Sequence, residues 1–337
     1  MQSIKVKKAG GLENIYVSKD TESPAPAKGE IKVQILASSL NYHDYLVADG
    51  KLPLDQERVL LSDGAGVVVE VGQGVTEFKE GDHVVSTFFP QWLSGSPTHA
   101  VGDFAKTPGD GVDGMAAEYV TREASAFTLA PMGWSHLEAS TITTAGLTAW
   151  RALVSDGNLK AGETIVTLGT GGVSLAALQI GKMFGAKVIV TSSSDEKLQS
   201  AKALGADHII NYKTNPLWAE DVLAITDGKG AEHIIEVGGP GTLAQSVESV
   251  AVGGNIYLIG VLTGFEGNLP TAQLMFKQAR LQGLLVGSRS QQQDYVKALE
   301  ANNVRPVIDK VFDYDSLADA FRYQVSGSHF GKICVQW

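Results

Sequence analysis

TIVTLGTGGVSLAAL, residues 164–178, is an apolar run that stops on glycines at 169, 171 and 172 and then resumes with helical periodicity. Residues 164–168 read as a buried strand, and the residues from Val173 onward as the helix into which it turns. At such a turn the backbone of Gly169, Thr170, Gly171, Gly172 and Val173 can approach a pyrophosphate, whose charge meets free N–H groups and the positive end of the helix. The spacing is Gly-x-Gly-x-x-Ser, and Ser174 in the third place predicts slightly looser packing of helix on strand. A plain βα turn of another α/β fold would use the same glycines, so the neighbouring sequence has to decide.

Downstream, apolar runs at 187–191, 208–212, 233–237, 255–259 and 281–286 alternate with helical stretches at 173–184, 195–204, 216–225 and 243–250. This rhythm predicts the α/β class, with a doubly wound parallel sheet of six strands and right-handed crossovers. Upstream, residues 1–122 hold short alternating runs at 31–40, 66–71, 83–88 and 116–120, as an antiparallel sheet or partial barrel would. A connecting helix is expected over 136–153. Between Pro90 and Gly114 the sequence has no period, and a loop this long is usually functional or held by its own contacts. After Gly287 come a helix, a strand containing Pro306, a helix at 317–324 and a last strand, too few elements for a domain of their own. The expected division is therefore 1–122 with 288–337, and 123–287.

The 337 residues exceed the roughly 250 to 300 at which one core usually splits, consistent with two domains. A net charge of −10 argues against nucleic acid or an anionic membrane as partner. The single cysteine, Cys334, excludes an internal disulfide and any Cys-rich zinc module, and fits a reducing compartment. The N-terminus lacks an apolar stretch of the signal-peptide kind, and no run approaches the ~18 apolar residues of a membrane span. The expectation is a soluble, cytoplasmic protein.

The second strand of the parallel sheet ends in Ser192, Ser193 and Ser194, followed by Asp195, Glu196 and Lys197. A site for NAD normally puts a carboxylate at this strand end, to accept both ribose hydroxyls and repel an added phosphate. Here Ser192, Ser193 and Lys197 offer donors and one positive charge, which favours NADPH and leaves NADH a weaker alternative. Ser193 also reads as a helix N-cap, with Glu196 completing a capping box, and the two roles can coexist.

GTGGVSLAALQIGKMFGAKVIVTSSSDEKL (169–198) and AKALGADHIINY (201–212) resemble the cofactor half of the medium-chain dehydrogenase/reductase superfamily, in its zinc-independent, quinone-reductase-like branches. SDGAGVVVEVG (62–72), EGDHVV (80–85), AAEYV (116–120), TTAGLTAW (143–150) and HFGKICV (329–335) are similar to family segments in the expected order, over nearly the whole chain. The resemblance implies a GroES-like, mostly β substrate domain beside a Rossmann domain, and a homodimer paired through the strands at 255–259 and 281–286. It implies Lys197 and Tyr212 near the adenosine 2′-phosphate. Gly238, Gly260, Val261, Val286, Gly287 and Ser288 would follow the cofactor, the later ones toward the nicotinamide. His329 would lie near it.

Zinc-dependent members of the superfamily use Cys, His and Cys as catalytic ligands, and the matching positions here are Asn41, Ser62 and Thr144. Amide and hydroxyl groups bind zinc poorly, so no metal is expected, whether from these residues or from an unusual set of His43, Asp44 and Asp63. The loop in the region of the family's structural-zinc lobe has no cysteine. Without a Lewis acid an unactivated alcohol is a difficult substrate, whereas quinones and conjugated enones accept hydride and leave a delocalised oxyanion. The expected catalytic residues are Asn41, as donor to the substrate oxygen, with Tyr42, His43 and Thr144; a proton comes from Tyr42, His43 or solvent. Trp92 and Phe104 either cap the small-molecule pocket or anchor their loop. His83, His99, His136, His208 and His233 read as structural. Alcohol oxidation, enoyl-thioester reduction and a non-catalytic, crystallin-like NADPH-binding role are the alternatives.

Overall fold

The computed structural model describes residues 1–102 and 104–337. Its contacts divide the chain into two compact units, residues 1–147 with 286–337, and residues 148–285. Compared with the division expected from sequence, the segment 123–147 groups with the first unit. Its helix, His136–Ser140, packs on the strands Glu30–Ser39 and Ala65–Val71.

The second unit is a sheet of six strands in the spatial order His208–Asn211, Lys187–Ser192, Thr164–Leu168, Ala231–Glu236, Val250–Leu258 and Arg280–Gly283. Every neighbouring pair is parallel. Thr164–Leu168 is buried along its whole length, which explains its lack of alternation. The order reverses beside this strand, the switch point at which doubly wound sheets bind ligands. All six expected strands are present, although Val250–Leu258 starts earlier and Arg280–Gly283 ends earlier than expected. The connection to the last strand contains an unforeseen helix, Thr271–Phe276.

The first unit holds a seven-stranded sheet and a three-stranded one. Pairing is antiparallel except between Ile308–Asp313 and Lys332–Gln336, which are parallel and joined through the helix Leu317–Val325. Pro306 lies ahead of its strand rather than within it, where its missing N–H would have broken the ladder. Glu30–Ser39 is the backbone of the unit: it pairs with Ala65–Val71 and Tyr119–Glu123, and at its far end with Lys332–Gln336.

The continuous helix expected over 136–153 is not observed. After His136–Ser140 the chain widens into a π-helical segment, Ile142–Gly146, and a second one follows at Arg151–Asp156. Gly146 N–H bonds back to Thr141 O at 3.2 Å, five residues earlier. The wide turn lets Thr143 reach Ser86 O at 2.8 Å and Thr144 reach Asp63 at 2.6 Å, bonds that a regular register would redirect.

Candidate active site

Glu30–Ser39 runs into Asn41, the N-cap of the helix Tyr42–Ala48. The Asn41 N–H donates to Asp44 Oδ2 at 2.9 Å, and its Nδ2 faces the same oxygen at 3.1 Å, with Ser39 O at 3.4 Å and Ser62 Oγ at 3.5 Å. The last strand lies antiparallel to Glu30–Ser39, so its first residue, Lys332, arrives beside Leu40. Lys332 Nζ donates to Asn41 Oδ1 at 2.6 Å and to Leu40 O at 2.7 Å, and lies 3.7 Å from Asp63 Oδ2. Asp63 also accepts from Ser39 Oγ and from Thr144 Oγ1, each at 2.6 Å, and Asp44 Oδ1 accepts from Ser62 N–H at 2.9 Å.

Asn41, Asp44, Ser62, Asp63 and Lys332 are all buried. Two carboxylates and one ammonium thus lie out of water, the ammonium beside Asp63 and Asp44 held by Asn41 and Ser62, an arrangement that persists only when nearly every lone pair is hydrogen-bonded. Burial, and then the neighbouring Asp63 charge, raises the Asp44 carboxyl to about 6. The donors at the three family metal positions are an amide and two hydroxyls. An ion placed among them would meet the Lys332 ammonium, which already fills Asn41 Oδ1. These residues do not fit zinc. Among the described residues, no three His, Cys, Asp or Glu side chains converge on a point that a metal could take.

Of the residues expected from sequence, the first unit brings Asn41, Ser62 and Thr144 into this one cluster. Tyr42 stands half in solvent, its ring 5.7 Å from that of Tyr45. His43 pairs outside the hydrogen bonds of the cluster, with Nε2 3.0 Å from Asp110 Oδ2. Trp92 is buried and its indole donates to Gly95 O at 3.0 Å, so it anchors the long loop, whereas Phe104 lies over His43. Lys332 was missed by sequence reading, although the segment HFGKICV that contains it was singled out. His329 is half-buried in the turn that precedes it.

In the second unit, Gly169 has a φ of +72°, and the helix Gly172–Met183 starts after Gly171 with no side-chain cap. Its N-terminal N–H groups are therefore not spent on a side chain, as an anion site requires. The helix Pro240–Ser249 is the opposite case. Buried Glu236 accepts from Gly238 N–H at 2.8 Å, Gly239 N–H at 2.9 Å and Thr242 Oγ1 at 2.6 Å, which occupies that terminus with an internal carboxylate. Thr263, after Gly260 and Val261, ties the next loop to Gly238 O at 2.8 Å.

The looser packing expected from Ser174 is not found. Its hydroxyl donates to Leu168 O at 2.7 Å, tying helix to strand. Close approach is supplied instead by Gly181, where a Cβ would lie 2.8 Å from both Ile165 Cδ1 and Val188 Cγ2. The helix after Ser192 is capped by Ser194, which accepts from Lys197 N–H at 3.4 Å, so Ser193 is not the N-cap and no capping box with Glu196 forms. Ser193 sits between the buried strand end Ser192 and the cap. Asp195 is turned to Asn211, whose Nδ2 it accepts at 2.7 Å, and Tyr212 is exposed.

Val286, Gly287 and Ser288 belong to the first unit. Ser288 caps the helix Arg289–Asn302. Val286 is a buried, β-branched residue at a φ of +44°, a strained conformation that persists only where surroundings impose it.

Residues 27–132 match the alcohol dehydrogenase GroES-like domain family, and residues 172–302 the zinc-binding dehydrogenase family. The chain is 42% identical, over 94% of each chain, to a zinc-type alcohol dehydrogenase-like protein of Schizosaccharomyces pombe. Its fold superimposes on a putative alcohol dehydrogenase from Sinorhizobium meliloti with a TM-score of 0.90 and 40% identity, covering 100% of this chain and 99% of that one. An NAD-dependent alcohol dehydrogenase gives a TM-score of 0.89 at 33% identity, with 100% of both chains covered.

Proposed function

We propose that this chain, which belongs to the medium-chain dehydrogenase/reductase superfamily and is an NAD(P)-dependent oxidoreductase, works without zinc and passes hydride from NADPH to a quinone, conjugated enone or similarly activated carbonyl compound. The observation that carries this reading is the cluster of Asn41, Ser62, Thr144, Asp63 and Lys332, in which an ammonium stands among the positions where zinc-dependent members hold their metal. With no Lewis acid to stabilise an alkoxide, the acceptor must spread its own developing charge.

The reduced dinucleotide, when bound, supplies the hydride. Gly169, Thr170, Gly171, Gly172 and Val173 would hold its pyrophosphate against the uncapped helix, with Ser192, Ser193, Lys197 and Tyr212 at the adenosine end and Gly238, Gly260, Val261, Val286, Gly287 and Ser288 farther along. In the first unit both sides of the Asn41 amide are engaged, and the Thr144 proton is committed to Asp63. Asn41 and Thr144 therefore shape the site, and the proton falls to Tyr42, His43 or water.

A panel offering quinones, enones, an enoyl thioester and simple alcohols with both nicotinamides tests this directly. The expected outcome is rapid NADPH oxidation with a quinone and little turnover of a primary alcohol. Preferred alcohol turnover would sink the reading.

The reading includes a cytoplasmic, reducing location. A chain with a single cysteine, buried Cys334, has no internal disulfide to maintain, which fits such a location. Among the described residues no helix is long and apolar enough to cross a membrane.

It also includes a homodimer. Arg280–Gly283 is an edge strand, and Leu262, Phe265, Met275 and Phe276 in the same unit are exposed, Phe276 by 76%. An unpaired edge beside so much bare apolar surface invites a second copy. Light scattering should give twice the chain mass for the wild type, and Phe276→Glu should shift it toward the monomer. A wild type that stays monomeric well above assay concentrations would contradict this.

A further inference from the structure

His43 and the long loop between Pro90 and Gly114 meet in a way that the polar cluster does not use. Asp110 is 67 residues beyond His43, yet its Oδ2 lies 3.0 Å from Nε2, and the two side chains are only 17% and 18% exposed. Phe104, from the same loop, lies across the imidazole with ring centroids 4.8 Å apart, and Phe88 meets it edge-on at 5.5 Å. Phe104 takes a φ of +55°, a conformation that a residue with a Cβ keeps only where its surroundings hold it. The loop is thus built to set one carboxylate and one ring against this histidine. A carboxylate on Nε2 fixes which nitrogen carries hydrogen and leaves Nδ1 to serve another group.

We propose that His43 and Asp110 form the proton-delivering pair for the reduction, with His43 as the catalytic acid and Asp110 as its positioning residue. The inference rests on the reductase reading above. As hydride adds to the acceptor carbon, a C–H bond forms and the π pair moves to oxygen. The Nδ1–H bond of protonated His43 breaks as the O–H bond forms. The acceptor gains two electrons from the reduced nicotinamide, and His43 recovers its proton from water.

The test compares wild type, His43→Gln, Asp110→Asn and the double variant on quinones whose hydroquinone oxygens differ in basicity. A methyl-rich quinone leaves a basic oxyanion that needs the acid, while a halogenated one does not. His43→Gln should lower kcat about a hundredfold or more on the first and less than about tenfold on the second. Asp110→Asn should show the same selectivity to a smaller degree, and the double variant should be no worse than His43→Gln.

Independently of turnover, nitrogen NMR of the cofactor-free protein should find His43 as the Nε2–H tautomer in wild type, a preference that Asp110→Asn erodes. Equal losses on both quinones, additive losses, or an Nδ1–H tautomer in wild type would overturn the pair. Wild-type turnover that His43→Gln leaves intact overturns the pair alone. A wild type inactive with every quinone overturns the reductase reading and the pair's role with it.

Discussion

Lys332→Met should cost about 3 to 5 kcal/mol of stability, because it leaves Asp63 buried with no opposing charge and Asn41 Oδ1 with no donor. At about 2 to 4 °C per kcal/mol for units of this size, the melting temperature should fall by roughly 6 to 20 °C. A surface lysine is the control: Lys297→Met, at an exposed pair with Asp294, should change stability by no more than about 0.5 kcal/mol. Lys332→Met combined with Asp63→Asn should recover much of the loss, since the carboxylate that faced the ammonium is then neutral. Thermal melts of the four proteins check this. If Lys332→Met melts like the Lys297 variant, the ammonium is not what holds the cluster together.

The second large effect concerns cofactor choice. Lys197→Ala should weaken NADPH far more than NADH, and Ser192→Asp should move preference toward NADH. A charge-assisted bond from Lys197 to the 2′-phosphate, as proposed, would contribute about 1.5 to 3 kcal/mol, or roughly ten- to hundredfold in discrimination. The local arrangement supports the expectation. Ser194, not Ser193, spends its hydroxyl on the helix cap, and Asp195 accepts from Asn211 Nδ2 at 2.7 Å. An Asp at 192 would instead accept the ribose hydroxyls of NAD and repel the added phosphate. Steady-state kcat/KM for both nicotinamides is the measurement. Equal losses for both in Lys197→Ala, or a wild type at least as efficient with NADH, would show the phosphate pocket to be misplaced.

The centre of the parallel sheet is legible because Thr164–Leu168 and Lys187–Ser192 are buried almost throughout, which makes their sequences near-continuous apolar runs, whereas the edge strand Arg280–Gly283 is half exposed and less sharply bounded. The helix cap was not, because three consecutive serines are chemically alike. What separates them is the register of Ser192 against Asn211, which ends the strand there and delays the helix to Asp195.

The break-up of the expected helix over 136–153 was hidden for a similar reason. Thr143 and Thr144 set the π-helical turn through partners at Ser86 and Asp63, 57 and 81 residues away. The polar cluster was half legible. Asn41, Ser62 and Thr144 sit in segments with their own local pattern, whereas Lys332 meets Asn41 across 291 residues and carries no local sign of it. Asp110 lies in a stretch without periodicity, and its pairing with His43 depends on the path of the whole loop.

In the function proposed above, this oxidoreductase does its chemistry with the Lys332 ammonium on Asn41 Oδ1, at one of the positions that match the catalytic ligands of zinc-dependent superfamily members. Zinc content and NADPH–quinone turnover, measured on one preparation before and after exhaustive chelation, decide whether a metal is needed. Far less than one zinc per chain, and turnover that chelation leaves unchanged, are expected. Stoichiometric zinc whose removal abolishes turnover, and whose return restores it, would overturn the zinc-free reading.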